Sequence, residues 1–175
     1  MTLLEKRLQT PVFSDRWPLY NTMHIVDFLT KDLILTELKA TSKNEVISEF
    51  AQAIAQARPT LNKEVISNIL LEREKLGSTG IQDGIAIPHG KLDTLPGILV
   101  AFGRSKRGID FQAHDAQATY LFFVLLAPES ATGTHLKILA RLSRLLKGTD
   151  LRTQLINAKD AETIYQVLLH EDEKF

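Results

Sequence analysis

Thr119-Tyr-Leu-Phe-Phe-Val-Leu-Leu-Ala127 is apolar or aromatic at every position after its first. A strand with one wet face alternates apolar and polar residues; a run that is apolar on both faces reads as a central strand covered from both sides. Extended to Pro128, it is about half of what a bilayer crossing needs. The covering layers are visible on either side of it. Downstream, Leu136, Leu139, Leu142, Leu145 and Leu146 recur at helical spacing over 134–147, with Gly148 as the stop. Thr132 or Thr134 is placed to cap that helix. Two shorter helices are predicted near 150–157 and 160–170, the second capped by Asp160. Upstream, Ser42 and Glu45 read as a capping box before Val46, Ile47, Phe50, Ala51 and Ile54. Pro59 closes that segment, and Asn62 caps a second helix over 62–76 that carries Val65, Ile66, Ile69, Leu70 and Arg73 near one face. Further strands are predicted around 33–38, 84–87 and 98–103. Helices alternating with a buried sheet predict a layered α/β domain.

The strand nearest in kind to that central run ends in the motif Gly84-Ile-Ala-Ile-Pro-His-Gly-Lys91. Proline lacks an N–H and has a fixed φ, so Pro88 is expected to end the strand and stiffen the approach to His89. Gly90 removes bulk beside the ring. The imidazole is then held on one side and open on the other, as a nucleophile presented to another macromolecule would be. Just upstream, Arg73-Glu-Lys-Leu-Gly-Ser-Thr-Gly-Ile81 places Gly77 at a helix end. Ser78, Thr79 and Gly80 follow as a loop rich in hydroxyl and backbone donors. This unit is expected to bring Arg73 and the loop donors near His89, and the planar fork of arginine suits a phosphoryl group.

These two strings and their spacing resemble the enzyme IIA domain of the fructose/mannitol type in the bacterial phosphoenolpyruvate-dependent phosphotransferase system. The resemblance is strongest to its stand-alone, nitrogen-related members and runs from about Met23 to Leu169. It implies an α/β/α sandwich around a mixed, roughly five-stranded sheet. His89 then matches the phosphorylated histidine, with Nε2 as the modified nitrogen. Arg73 matches the arginine near the phosphoryl group. His135, in Gly-Thr-His-Leu at a helix start, matches the second active-site histidine, where free N–H groups also favour an anion. His24, His114 and His170 match no such position. Gln82 stands where many members have a small residue. By the same resemblance the donor is a phosphohistidine on HPr or its nitrogen-branch counterpart, and the chain acts as a phosphotransferase component.

Composition narrows the alternatives. Twenty-one basic residues balance twenty-one acidic ones, so no global field favours nucleic acid or an anionic membrane. Lys91, Arg104, Lys106 and Arg107 remain candidates for a local basic patch. The chain has no cysteine, hence no thiolate zinc site or disulfide framework. No GxxxxGK[ST], GxGxxG or Gly-x-Ser-x-Gly motif occurs, and no cofactor is expected. No signal-like or membrane-length segment is seen, which predicts a cytoplasmic protein without membrane insertion. Residues 1–22, with two prolines, Trp17 and Tyr20, read as an extension preceding a domain over 23–175. Three functions follow: a phosphocarrier that regulates target proteins in nitrogen or carbon metabolism or in transport; a sugar-specific enzyme IIA that passes phosphate to an enzyme IIB; and a metal-dependent hydrolase built on His89 and His135 with a carboxylate such as Asp83. The absence of a fused enzyme IIB or membrane segment and the nitrogen-related motifs favour the first.

Overall fold

The computed structural model describes residues 23–174; the extension expected over 1–22 lies outside the described residues. In chain order it contains β1 (Leu29–Leu35), α1 (Lys43–Ala57), α2 (Lys63–Lys75), β2 (Ile85–Ala86), β3 (His89–Lys91), β4 (Leu99–Ile109), β5 (Thr119–Ala127), α3 (Thr132–Leu145), α4 (Thr149–Asn157) and α5 (Ala161–Asp172). The strands form one mixed sheet in the order β1-β4-β5-β2, with β3 continuing along β5 beyond β2. β1 is parallel to β4, β4 is antiparallel to β5, and β2 and β3 are parallel to β5. This is the layered α/β architecture with a mixed five-stranded sheet that the sequence implies.

β5 is central and buried from Leu121 to Ala127. Its alternate residues divide between two cores. Phe122, Val124 and Leu126 pack with Phe50 and Ile54 of α1 and Ile66 and Leu70 of α2. Leu121, Phe123 and Leu125 pack with Ile138 and Leu142 of α3, Leu155 of α4 and Leu168 of α5. Burying a residue of this size removes about 2 kcal/mol of apolar exposure, so a strand that feeds both cores is the main seam of the domain. The buried carboxylate of Asp172 accepts from the backbone N–H of Ile25 and from Arg141, tying the first described residues to the last helix.

Several local expectations shift. β1 starts at Leu29 rather than near Leu33, because Leu29 pairs with Val100 and the polar Thr30, Lys31 and Asp32 lie across a register irregularity. β4 runs to Ile109 rather than 103, since its pairing with β5 extends from Leu99↔Leu126 to Ile109↔Thr119. Ser42 caps α1, but Glu45 turns back to the N–H and hydroxyl of Thr41 instead of closing a capping box on Ser42. Asn62 and Asp160 cap their helices as expected. Neither Thr132 nor Thr134 caps α3: its N-cap is Ala131, without a side-chain hydrogen bond. Gly148 opens α4 as its N-cap, and α3 has already ended at Leu145, with Leu146 as its C-cap. The candidates for a basic patch divide, since Lys106 and Arg107 stay exposed while Arg104 does not. Arg104 is buried and donates to the carbonyls of Thr36, Leu155, Ile156 and Ala158. Arg107 donates to those of Lys39 and Ala40. Among the described residues no helix is long and apolar enough to cross a membrane.

Candidate functional site

The motif around His89 forms the edge of the sheet. Ile85↔Leu121 and Ala86↔Phe122 in β2 share one register with His89↔Leu125, Gly90↔Leu126 and Lys91↔Ala127 in β3. Pro88 therefore interrupts the strand rather than ending it. It has no N–H to give, but its carbonyl accepts from Leu125 N at 2.9 Å and the register survives. An edge is where a sheet tolerates proline. His89 consequently lies within the ladder, not at an open strand end. Alternation sends Ile85, Ile87, His89 and Lys91 to the α3 side and Ala86, Gly90 and Leu92 to the α1/α2 side. The core memberships of Ile85 and Ile87, and of Ala86 and Leu92, follow this division.

His89 is half-buried, and both ring nitrogens are engaged. Nδ1 lies 2.8 Å from the carbonyl oxygen of Ile87. A carbonyl only accepts, so Nδ1 carries the proton and donates. Nε2 is left with its lone pair, and Arg73 Nε donates to it at 3.2 Å. The two contacts agree on one tautomer. Burial, with the neighbouring Arg73 guanidinium, lowers the pKa of His89 despite the opposing carbonyl of Ile87 and carboxylate of Glu74. The ring is thus neutral at physiological pH, with a nucleophilic nitrogen aimed at a fixed cation.

Arg73 reaches this position because α2 packs hard against β3. A Cβ on Gly90 would stand 2.3 Å from Ile69 Cγ2, so only glycine lets the helix come this close. Ile69 and Arg73 are four residues apart and share a helix face. The arginine also donates through Nη1 to the Gly77 carbonyl at 2.9 Å, which fixes its side chain across the helix end. Gly77, at φ +142°, makes that turn, a conformation L side chains rarely adopt.

His135 comes from the start of α3. Its ring centroid is 5.6 Å from that of His89, with the planes tilted by 52°. It is 5% exposed, and its Nε2 is buried without a hydrogen-bond partner. Unsatisfied buried polar atoms are rare and costly. Burial first, then the proximity of His89 and the Lys91 ammonium, lower its pKa to about 4. The structure therefore brings together His89, Arg73 and His135, the three residues the sequence singled out.

The Ser78-Thr79-Gly80 loop behaves otherwise than expected. Thr79 is buried, and both its N–H and its hydroxyl donate to Glu74 Oε1. Ser78 Oγ donates to the carbonyl of Phe111. These hydroxyl donors are consumed within the fold. The loop is a brace: Thr79 O accepts Ile87 N at 3.0 Å, holding the backbone that in turn holds His89 Nδ1. Glu74, which also pairs with Lys43 at 3.0 Å, anchors it. Sequence reasoning passed over Glu74 because a glutamate one residue after Arg73 reads as a solvated helix position. It also passed over Ile87, whose role is played by a carbonyl that no side chain announces.

The remaining candidates lie elsewhere. Gln82 closes a turn through its carbonyl and Ile85 N, leaving the Ile-Pro-His segment intact. Asp83 pairs with Arg152 at 3.4 Å. Among the described residues no three His, Cys, Asp or Glu side chains cluster to hold a metal ion, and the hydrolase reading gains no support. His24 sits beside Arg141 and Asp172.

Known proteins share this sequence pattern and this fold. Residues 27–171 match the family described as phosphoenolpyruvate-dependent sugar phosphotransferase system, EIIA 2. The chain is 44% identical over 146 residues to a nitrogen regulatory protein of Bradyrhizobium diazoefficiens, covering 83% of this chain and 95% of that one. It is 37% identical over 150 residues to the fructose-specific EIIABC component of Bacillus subtilis, covering 86% of this chain and 24% of that much longer protein. The crystal structure of the nitrogen regulatory protein IIA-Ntr from Neisseria meningitidis superposes with a TM-score of 0.77 at 32% identity, covering 82% of this chain and 98% of that one.

Proposed function

We infer the role of this chain from its family: it belongs to the EIIA 2 family of the phosphoenolpyruvate-dependent sugar phosphotransferase system. It is a phosphocarrier component of that system, and the finer assignment is that His89 Nε2 accepts the phosphoryl group. The observation that carries this assignment is the fixed tautomer of His89, with Nδ1–H on the Ile87 carbonyl and the Nε2 lone pair facing Arg73.

The reaction follows from those contacts. Nε2 attacks phosphorus in line; the N–P bond to His89 forms as the N–P bond to the donor imidazole breaks, and the donor nitrogen leaves with its electron pair. Nδ1 keeps its proton. As the His89 ring becomes cationic, the Nδ1–H bond to the Ile87 carbonyl strengthens. Arg73 Nε turns from the nitrogen to a phosphoryl oxygen, and the orphan Nε2 of His135 supplies a second donor. Such transfers depend on placement and charge neutralisation more than on acid–base work.

The donor is a phosphohistidine on an HPr-like carrier, so a protein must dock over His89. A cleft of about 450 Å³ lined by Phe28, Arg58, Leu61, Leu95 and Leu99 does not include the site. Instead, two large apolar side chains are exposed beside the site residues in sequence: Leu76, 84% exposed, and Leu136, 60% exposed. They suit contact with another protein. Downstream, similarity to nitrogen regulatory proteins favours a regulatory phosphocarrier acting on target proteins in the cytoplasm. The likeness to a fructose-specific EIIABC component supports the second reading, transfer to an enzyme IIB.

The test is incubation with phosphoenolpyruvate, enzyme I and the carrier, followed by intact mass under alkaline conditions. One phosphoryl group should appear on the wild type and none on His89→Ala. Rapid stoichiometric transfer onward to a sugar-specific enzyme IIB would establish the transport reading; target binding that differs between the phosphorylated and unmodified protein would establish the regulatory one.

A further inference from the structure

Lys91 is two residues beyond His89 on the same strand, and alternation puts both side chains on the α3 side of the sheet. Its ammonium donates to Thr132 Oγ1, the first residue of α3, and lies 3.9 Å from Glu129 Oε2. Thr132 Oγ1 in turn donates to the Glu129 carbonyl at 2.7 Å. Lys91 thus ties the strand that carries His89 to the helix start that carries His135. α3 begins without a side-chain cap, so the amides of its first turn are not taken up by an N-cap side chain. The fourth residue of α3 is His135, whose Nε2 is buried and unpartnered. Lysine is a flexible, compact cation, able to exchange one oxygen partner for another without moving the backbone.

We propose that Lys91 is a further positioning residue for phosphoryl transfer, acting through His135: its ammonium, held on Thr132 Oγ1, sets the place of the α3 start against β3 and so the place of the His135 imidazole beside His89. A neutral ring with Nε2–H is a hydrogen-bond donor of the right kind for a phosphoryl oxygen. A ring already cationic before transfer would repel the arriving cationic character at His89. The charged groups around His135 are His89 and Lys91, with Arg73 and Glu74 beyond His89 and Glu129 at the foot of α3. Burial is the main cause of the lowered His135 pKa, and His89 and then Lys91 add to it in the same direction. Once His89 carries a dianionic phosphoryl group, the same ammonium offsets part of that charge.

This inference rests on the phosphocarrier reading, and its test separates the two. Lys91→Met keeps the length of the side chain without its charge; Lys91→Arg keeps the charge. Titration of the His135 ring by NMR in the unphosphorylated protein needs no phosphoryl donor. The His135 pKa should rise in Lys91→Met and stay near the wild-type value in Lys91→Arg, because removing a neighbouring cation favours protonation. Phosphoryl transfer to His89 should slow about tenfold or more in Lys91→Met and recover in Lys91→Arg. An unchanged His135 titration in Lys91→Met, or wild-type transfer by that variant, overturns the inference. Failure of the wild type itself to gain a phosphoryl group would instead overturn the phosphocarrier reading, leaving the titration to decide the Lys91–His135 coupling.

Discussion

Arg73 Nε donates to His89 Nε2 at 3.2 Å, although the arginine is rooted in a helix on one face of the sheet and the imidazole leaves the strand toward the other. The contact is made around the sheet edge. It requires β3 to be an edge strand, α2 to lie almost against it, and Arg73 to stand at the helix's last turn. This explains why proline and glycine flank the histidine. Pro88 is tolerated because no further strand needs its N–H, and Gly90 because α2 needs the space of a side chain.

The first consequence concerns which nitrogen is modified. With Nδ1 committed to the Ile87 carbonyl at 2.8 Å, the phosphoryl group should appear on Nε2. Nitrogen-15 NMR of the phosphorylated protein distinguishes the two isomers, and a signal from the Nδ1 isomer would contradict an Nδ1–H tautomer of His89.

Removing either supporting donor should slow transfer without removing the acceptor. Arg73→Ala and His135→Ala are expected to lower the single-turnover rate of phosphorylation by about ten- to a thousandfold, the range found when one preorganised donor is lost. Labelling of His89 should still reach completion given time. Wild-type rates in both variants, together with an unchanged lifetime of the phosphorylated form, would remove these residues from the site.

Much of this was legible in the sequence because it was carried by local chemistry. The doubly apolar run 119–127 fixed a buried central strand, and Asn62, Gly77 and Asp160 marked helix ends by their own hydrogen-bonding or backbone needs. His89 and Arg73 stood out in the two linked strings, and His135 was picked out through the family resemblance those strings carry, not through periodicity. What escaped reading was non-local or made by backbone. The early start of β1 depends on Leu29 finding Val100 some seventy residues on. The consumption of Thr79 by Glu74, and of Arg104 by four carbonyls, depends on burial that composition does not reveal. Pro88 looked like a strand end because a strand's position in its sheet is a tertiary fact.

Gly90→Ala tests the close approach of helix and strand. The new methyl would meet Ile69 Cγ2 at 2.3 Å, well inside contact distance. Relief requires Ile69 or α2 to move, at a cost of about 1–3 kcal/mol by analogy with overpacked cores. If α2 moves, Arg73 moves with it, so transfer should slow by more than the loss of folded protein accounts for. Chemical denaturation and single-turnover kinetics on the same variant separate the two effects. Adding Ile69→Ala should restore the transfer rate; a double variant as slow as Gly90→Ala alone would mean that this contact does not place Arg73.

The buried His135 also sets a pH dependence of stability. Its pKa is lowered in the folded protein, to about 4, chiefly by burial, with His89 and Lys91 adding to the effect. Above the ordinary histidine value near 6.5 the ring is neutral in both folded and unfolded chains and costs nothing of this kind. As pH falls below that value, the unfolded chain takes up a proton that the folded chain refuses, so stability declines. The decline should continue to about pH 4, where the folded ring also protonates, and it should then level off as far as this group is concerned. The shift corresponds to on the order of 3 kcal/mol at most, because relaxation and water entry soften burial effects. His89, whose pKa is also lowered by burial, contributes in the same direction. Urea denaturation midpoints measured from pH 7 to pH 4 should therefore fall more steeply for the wild type than for His135→Gln, which keeps a polar side chain but cannot titrate. Parallel curves for the two proteins would show that His135 titrates alike in the folded and unfolded chains, and a wild type that gains stability on acidification would show a ring already protonated in the fold, which would remove the neutral donor assigned to it beside His89.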